Sequence, residues 1–237
     1  MLSTFPFLTA VEFSSACQAF ADRVHAYGSP QDLGWSSVRV LQQPHGSILR
    51  LSKSISPIGP PGSDDTPPVS EGGESQVDQL EEDDDEALVR GPDPDFRFEV
   101  EYDIILSPTY RVPVLYFVLR NAPREGPAGI EAVYRYLVPH QYKTELKSVG
   151  VMGGISMGVC AHAFQPTSRI RAHGSQYHPE FGVPAYFVHP CNTADALRDV
   201  GAGRDITPET YLLLWLGLIG NCVNLHVPRE LLASNNI

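Results

Sequence analysis

An α+β fold, with helices around a small antiparallel sheet, is what three features of this sequence predict. Residues 9–27 place Phe13, Ala16, Cys17, Phe20, Val24 and Tyr27 at spacings of three and four, one face of an amphipathic helix. Phe96, Phe98, Val100, Tyr102 and Ile104 alternate with Arg97, Glu99, Glu101 and Asp103, the pattern of a half-buried strand. Residues 211–219 (YLLLWLGLI) are apolar nearly all round, so this helix belongs at the centre.

Taken in order, the first helix has a capping box in Thr9 and Glu12, a possible staple of Leu8 on Phe13, and a stop at Gly28, Ser29 and Pro30. Cys17 lies on its apolar face and reads as core. Strands follow at 35–41 and 47–51, joined by a turn over 42–46 that puts His45 at a solvated tip. The strand from Phe96 leads through a turn at 107–110 into 111–119 (RVPVLYFVL), which is apolar on both faces after Arg111. A strand so composed is covered on both sides. Pro113 has no N–H for a ladder, which assigns it to an edge or a bulge. Together these four strands form an antiparallel meander.

Ile130, Val133, Tyr134 and Leu137 predict a short helix ending before Pro139. Residues 149–158 are glycine-rich, yet hold neither GxGxxG nor GK[ST], so phosphate binding is not indicated. Residues 157–175 read as an irregular loop. Cys160, His162, His173 and His178 match no usual zinc spacing, so no metal or cofactor is expected. The final helix has Thr207 as N-cap, Pro208 at its first position and Glu209 in its first turn. Cys222, just beyond it, reads as a packing residue.

The net charge of −11 over 237 residues is local. Residues 52–95 hold thirteen acids and two bases, which account for all of it; the remainder balances. The same stretch has seven prolines and few large apolar residues, so it cannot bury enough surface to offset its ordering entropy. It reads as a disordered acidic insertion between two strands of a single 1–237 domain. Loop-closure cost grows only logarithmically, so the hairpin tolerates it. A neutral remainder marks no nucleic-acid surface. No apolar run reaches membrane-spanning length, and residues 1–7 lack the basic and apolar regions of an export signal. The expected compartment is therefore a reducing one, cytoplasmic or nuclear, with all four cysteines free.

Residues 186–193 (YFVHPCNT) carry the chemistry. A strand over 183–188 delivers Cys191 to the rim of the core, Pro190 stops it, and Asn192 or Thr193 caps a helix running through Asp199. Cysteine alone is more often packing than chemistry. A strand entering and a capped helix leaving present a thiol whose charged form the helix start favours.

Three stretches, EYDIILSPTYRVPVLYF (101–117), YHPEFGVPAYFVHPCNT (177–193) and YLLLWLGLIGNCVNLHVP (211–228), resemble the autophagy-related protein 10 family of E2-like conjugating enzymes. The His-Pro-Cys motif is shared with the sister family, autophagy-related protein 3. The resemblance implies an E2-like core and a transferase. Cys191 would accept the modifier autophagy-related protein 12 as a thioester from the E1-like autophagy-related protein 7. It would then pass the modifier to a lysine of autophagy-related protein 5, for autophagosome formation. Conventional E2 enzymes place an Asn upstream of the cysteine as oxyanion donor; here His189-Pro190 runs directly into Cys191. The candidate replacements are His189, Asn192 and a strand tyrosine, Tyr116 or Tyr102. His189 and Pro190 serve equally well as shape alone. Residues 157–175 fall outside the motif spacing, as either a genuine loop or an error in the coding sequence would. Two other readings stay open. One is a cysteine hydrolase using His226, His178 or His140 as base. The other is a non-catalytic adaptor binding along the edge of the YRVPVLYF strand.

Overall fold

The computed structural model describes residues 2–44, 46–56, 97–122, 129–148, 154–158 and 185–233. Helix α1, Ala10–Tyr27, buries Phe13, Ala16, Cys17, Phe20, Ala21 and Val24. Tyr27 closes the expected apolar face but, as the last residue of the helix, stands 48% exposed. The capping box is made as read. Glu12 N–H donates to Thr9 Oγ1 at 3.2 Å, and Thr9 N–H to Glu12 Oε2 at 2.8 Å. A short 3-10 turn, Pro30–Leu33, then leads to Trp35. Trp35 lies before the first strand rather than in it, buried against Phe20 at 5.8 Å between ring centroids.

The expected meander forms as β1 (Ser37–Gln43), β2 (Gly46–Ile55), β3 (Phe98–Leu106) and β4 (Pro113–Arg120), each pairing antiparallel with the next. β2 continues to Ile55, so the four residues from Ser52 are sheet, not insertion. Pro113 is the first residue of β4, where a missing donor costs nothing. β4 is not an edge. Two further strands, β5 (Ile155–Gly158) and β6 (Ala185–Val188), extend the sheet to six in the order β1-β2-β3-β4-β6-β5. Met157 and Gly158, expected in an irregular loop, belong to β5. Residues 57–96 and 159–184 lie outside the described residues, and with them most of the segment expected to be disordered and the Cys160, His162, His173 and His178 set.

Alternation divides the sheet into two faces. Leu49, Leu51, Val100, Tyr102, Ile104, Leu115 and Phe117 enter the main core beneath α1 and α5 (Pro208–Ile219). α5 buries Tyr211, Leu212, Leu213, Trp215 and Leu216 and lies against α1. The opposite face carries a smaller cluster of Val114, Tyr116 and Ala185, with Ile105, Val118 and Phe187 packed on it. Beside it, Arg50 grips the buried Asp103 with two hydrogen bonds, Nε to Oδ1 at 2.7 Å and Nη2 to Oδ2 at 2.6 Å. Such a paired fork is the strong form of this contact.

The remaining helices are α2 (Ile130–Tyr136), α3 (His140–Ser148), α4 (Thr193–Gly201) and α6 (Arg229–Ala233). α2 ends before Pro139 as expected. α3 buries no side chain, so no apolar period announces it.

Backbone amides of Ser3 and Thr9 donate to the Glu12 carboxylate and hold it down to about 2, from 4.5. A carboxyl lowered on folding stabilises above its unfolded value, and the effect disappears as pH falls through the folded one. The group is partly open to solvent, which screens it. Glu12→Ala is expected to lose about 1 kcal/mol in urea unfolding at pH 7. That gap should close between pH 4.5 and pH 2; a gap unchanged down to pH 2 would contradict the capping account.

Candidate active site

β6 is four residues long, and its neighbours aim it. Tyr116 pairs with Phe187 and Phe117 with Tyr186 across β4. Ile155 to Gly158 pair with Val188 to Ala185 on the other side. His189 N–H then donates to Gly154 O at 3.2 Å, carrying the β5 contact one residue further. Buried Pro190 ends the strand. Thr193 N–H to Pro190 O at 3.0 Å and Ala196 N–H to Asn192 O at 3.1 Å start α4. Cys191 therefore stands half-buried, outside any disulfide, between a strand end and a helix start. Asn192 holds the N-cap position, but its exposed side chain makes no cap bond. α4 runs two residues past Asp199, to Gly201.

The imidazole of His189 turns back on the thiol's own backbone. Cys191 N–H donates to His189 Nδ1 at 3.2 Å. A ring nitrogen that accepts carries no proton, so the neutral ring holds its proton on Nε2. Aromatic rings fix the plane. Phe187 lies 6.0 Å from the imidazole at 41°, and Tyr110 meets it edge-on at 5.9 Å and 77°. Behind Phe187 comes Tyr116, at 5.7 Å and 35°. Tyr116, Phe187 and His189 thus form a row on the sheet face away from the main core, with Tyr116 buried and His189 at the open end.

Tyr110 is the residue the sequence reading passed over. It sits in the turn before β4, 41% exposed. Its N–H donates to Ser107 Oγ at 3.2 Å, and Arg111 N–H to Ser107 O at 2.8 Å. The available signal was a large aromatic in a turn, where a packing role is poorly served. Tyr102 goes the other way. It is fully buried in the main core, and its hydroxyl donates to Val223 O at 2.8 Å. Burial raises that phenol far above its ordinary range. Its donor is spent on the wrong face for Cys191.

The alternative bases are placed elsewhere. His226 Nδ1 lies 2.8 Å from Asn221 Oδ1, beyond the end of α5. His140 opens α3, exposed, and His178 is outside the described residues. Of the strand edge that the adaptor reading would use, Tyr116 and Phe117 are paired with β6. Among the described residues, no group of three or more His, Cys, Asp or Glu is arranged to hold a metal, and no helix is long and apolar enough to cross a membrane.

Fold and site together define a half-buried cysteine presented by an α+β domain, and this chain belongs to the family described as autophagocytosis associated protein, active-site domain, which it matches over residues 12–230. It is 40% identical over 166 residues to the ubiquitin-like-conjugating enzyme ATG10 of Gibberella zeae, covering 70% of this chain and 61% of that protein. It is 26% identical over 148 residues to the enzyme of the same name from Dictyostelium discoideum, covering 58% and 55%. With the Arabidopsis thaliana enzyme of that name the identity is 25% over 138 residues, covering 56% and 52%. The chain therefore spans between about half and three fifths of the length of the curated relatives it matches.

The other described thiols are chemically quiet. Burial pushes Cys17 and Cys222 up to about 12, and Cys222 Sγ also donates to Ile219 O at 3.1 Å. In a Cys160→Ser background, iodoacetamide at pH 7.5 should alkylate Cys191 and leave both others unlabelled until the chain unfolds, as read by peptide mass spectrometry. Labelling of Cys17 or Cys222 at a rate comparable to Cys191 in the folded protein would contradict this.

Proposed function

We propose that the chain is the catalytic domain of an E2-like conjugating enzyme of autophagy, with Cys191 carrying the ubiquitin-like modifier autophagy-related protein 12 as a thioester. The observation that carries this is the bond from Cys191 N–H to His189 Nδ1, which ties the imidazole to the backbone of a half-buried cysteine and leaves Nε2 as the protonated ring nitrogen. The named relatives support the class of reaction. The Cys191 thiolate attacks the thioester carbonyl of the E1-like autophagy-related protein 7. The carbon–sulfur bond to the E1 cysteine breaks and that thiolate leaves. A lysine amine of autophagy-related protein 5 then attacks the new thioester. An isopeptide bond forms, the Cys191 thiolate departs, and the amine sheds its proton to solvent.

Both steps place negative charge on the former carbonyl oxygen, and catalysis needs donors already aimed at it. His189 Nε2–H is the first, and the Tyr110 hydroxyl, on a ring that touches His189, is the second. Tyr116 works through Phe187, holding the plane of the imidazole. The reaction needs free thiols, which fits a cytoplasmic setting.

Incubation with the E1-like enzyme, modifier and ATP should give a reductant-sensitive adduct on non-reducing gels. Cys191→Ala should abolish it, and Cys191→Ser should leave a more stable oxyester. An adduct that survives Cys191→Ala would end the assignment. With wild-type thioester preformed, His189→Ala is expected to slow its discharge onto amine roughly 100-fold, the cost of one missing oxyanion donor.

A further inference from the structure

The segment before α1 is bonded to Arg111, the residue after Tyr110. Leu8 N–H donates to Arg111 O at 2.8 Å, and Arg111 Nη2 to Thr4 Oγ1 at 3.3 Å. The guanidinium carbon of Arg111 lies over the Phe7 ring, 5.7 Å from its centroid. That of Arg198, on α4, lies over the same ring at 5.4 Å. The segment is anchored from below. Phe5 meets Tyr211 edge-on at 6.1 Å, and the buried Tyr211 hydroxyl donates to Pro6 O at 2.7 Å. At Gly201, the end of α4, a Cβ would fall 2.6 Å from the Phe5 ring, so helix and segment meet with no room between them.

We propose that Phe7 is a positioning residue for the Cys191 site, because its ring binds two guanidinium groups and so ties the turn presenting Tyr110 to the helix that follows Cys191. The inference rests on the conjugating activity proposed above. Arg111 adjoins Tyr110 in the chain, and Arg198 belongs to the helix that starts two residues after Cys191. Arg111 holds a left-handed backbone, φ 56°, which a non-glycine residue keeps only when its surroundings impose it. Two like charges brought to one place repel. The negative face of an aromatic ring holds them there, and an aliphatic side chain of similar bulk does not. Without the ring the two cations relax apart. The Tyr110 turn then moves relative to α4, and the edge contact on His189 loosens. Arg198 is also paired with Asp195, whose loss leaves the ring contact in place.

The test loads Cys191 with modifier, quenches the E1-like enzyme and follows single-turnover discharge onto free lysine. Phe7→Leu should slow discharge about five- to tenfold, while Phe7→Trp, which keeps a ring face, stays within about twofold of wild type. Arg198→Gln should reproduce the loss, and Asp195→Asn should not. Equal slowing by Phe7→Leu and Phe7→Trp would reduce Phe7 to bulk and overturn the proposal, as would unaltered discharge in Phe7→Leu. A second readout is independent of conjugation. The proton resonances of the His189 ring should shift in Phe7→Leu and Arg198→Gln toward their positions in Tyr110→Ala, and hold still in Phe7→Trp. If wild-type protein takes no modifier, the conjugating reading falls, and the imidazole resonances alone decide the clamp; resonances unmoved in Phe7→Leu overturn it.

Discussion

Two residue pairs between β4 and β6 hold the site together. Tyr116 faces Phe187 and Phe117 faces Tyr186. Side chains alternate along a strand, so a slip of one residue would turn Phe187 and His189 into the main core and bring Tyr186 and Val188 out of it. The register is held from both faces at once. Phe117 stacks on Tyr186 at 5.6 Å and 28° on the core side, and Tyr116 meets Phe187 on the other. Any slip breaks both aromatic pairs and empties two pockets. A strand of four residues can in this way aim a side chain beyond its own end.

The main core explains why the candidate site lies on the opposite face. Beneath α1 and α5 the sheet surface is closed: Tyr102 reaches across to Val223, and Trp215 and Tyr211 fill the floor. Lys53, the one charge that β2 turns to that side, is half-buried and spends its ammonium on Asn224 O at 2.8 Å. Burial pulls its pKa down. Little there could open to a partner without unfolding. The second face is shallower, with Phe187 and His189 only partly covered at its rim. The imidazole meets the turn tyrosine and the Cys191 backbone where the sheet ends.

What could be read from the sequence follows from how local each cause is. The α1 cap, the α5 start and the β3 alternation are short-range, and Thr9, Thr207 and Val100 announce them directly. The fate of Pro113 depends on its neighbours: at the first position of a central strand it needs no edge. β5 is four residues inside a glycine-rich stretch, and what makes it a strand is β6, some thirty residues later in the chain. The placement of Cys191 and His189 between a strand and a helix was legible because strand, proline and helix start are adjacent in the chain. Tyr110 was not, since its meaning comes from a ring that stands 79 residues away in sequence and 5.9 Å away in space. No periodicity encodes such a contact.

The bond at His189 Nδ1 also bears on which role this one imidazole can take next to Cys191. A cysteine hydrolase needs an imidazole nitrogen that takes the thiol proton and later returns it to a leaving group. In this site Nδ1 is occupied by the Cys191 amide, and a neutral imidazole whose Nδ1 accepts must carry its proton on Nε2. Neither nitrogen is then free to receive one. The same ring is well made to donate, and donation to a developing oxyanion is what acyl transfer between thiol and amine requires. Transfer does not need the imidazole as base, because a thiolate leaves readily and the incoming amine can lose its proton to water. Under the proposed conjugating reading, the bond that occupies Nδ1 also leaves Nε2–H as a donor, the role that asparagine has in conventional E2 enzymes.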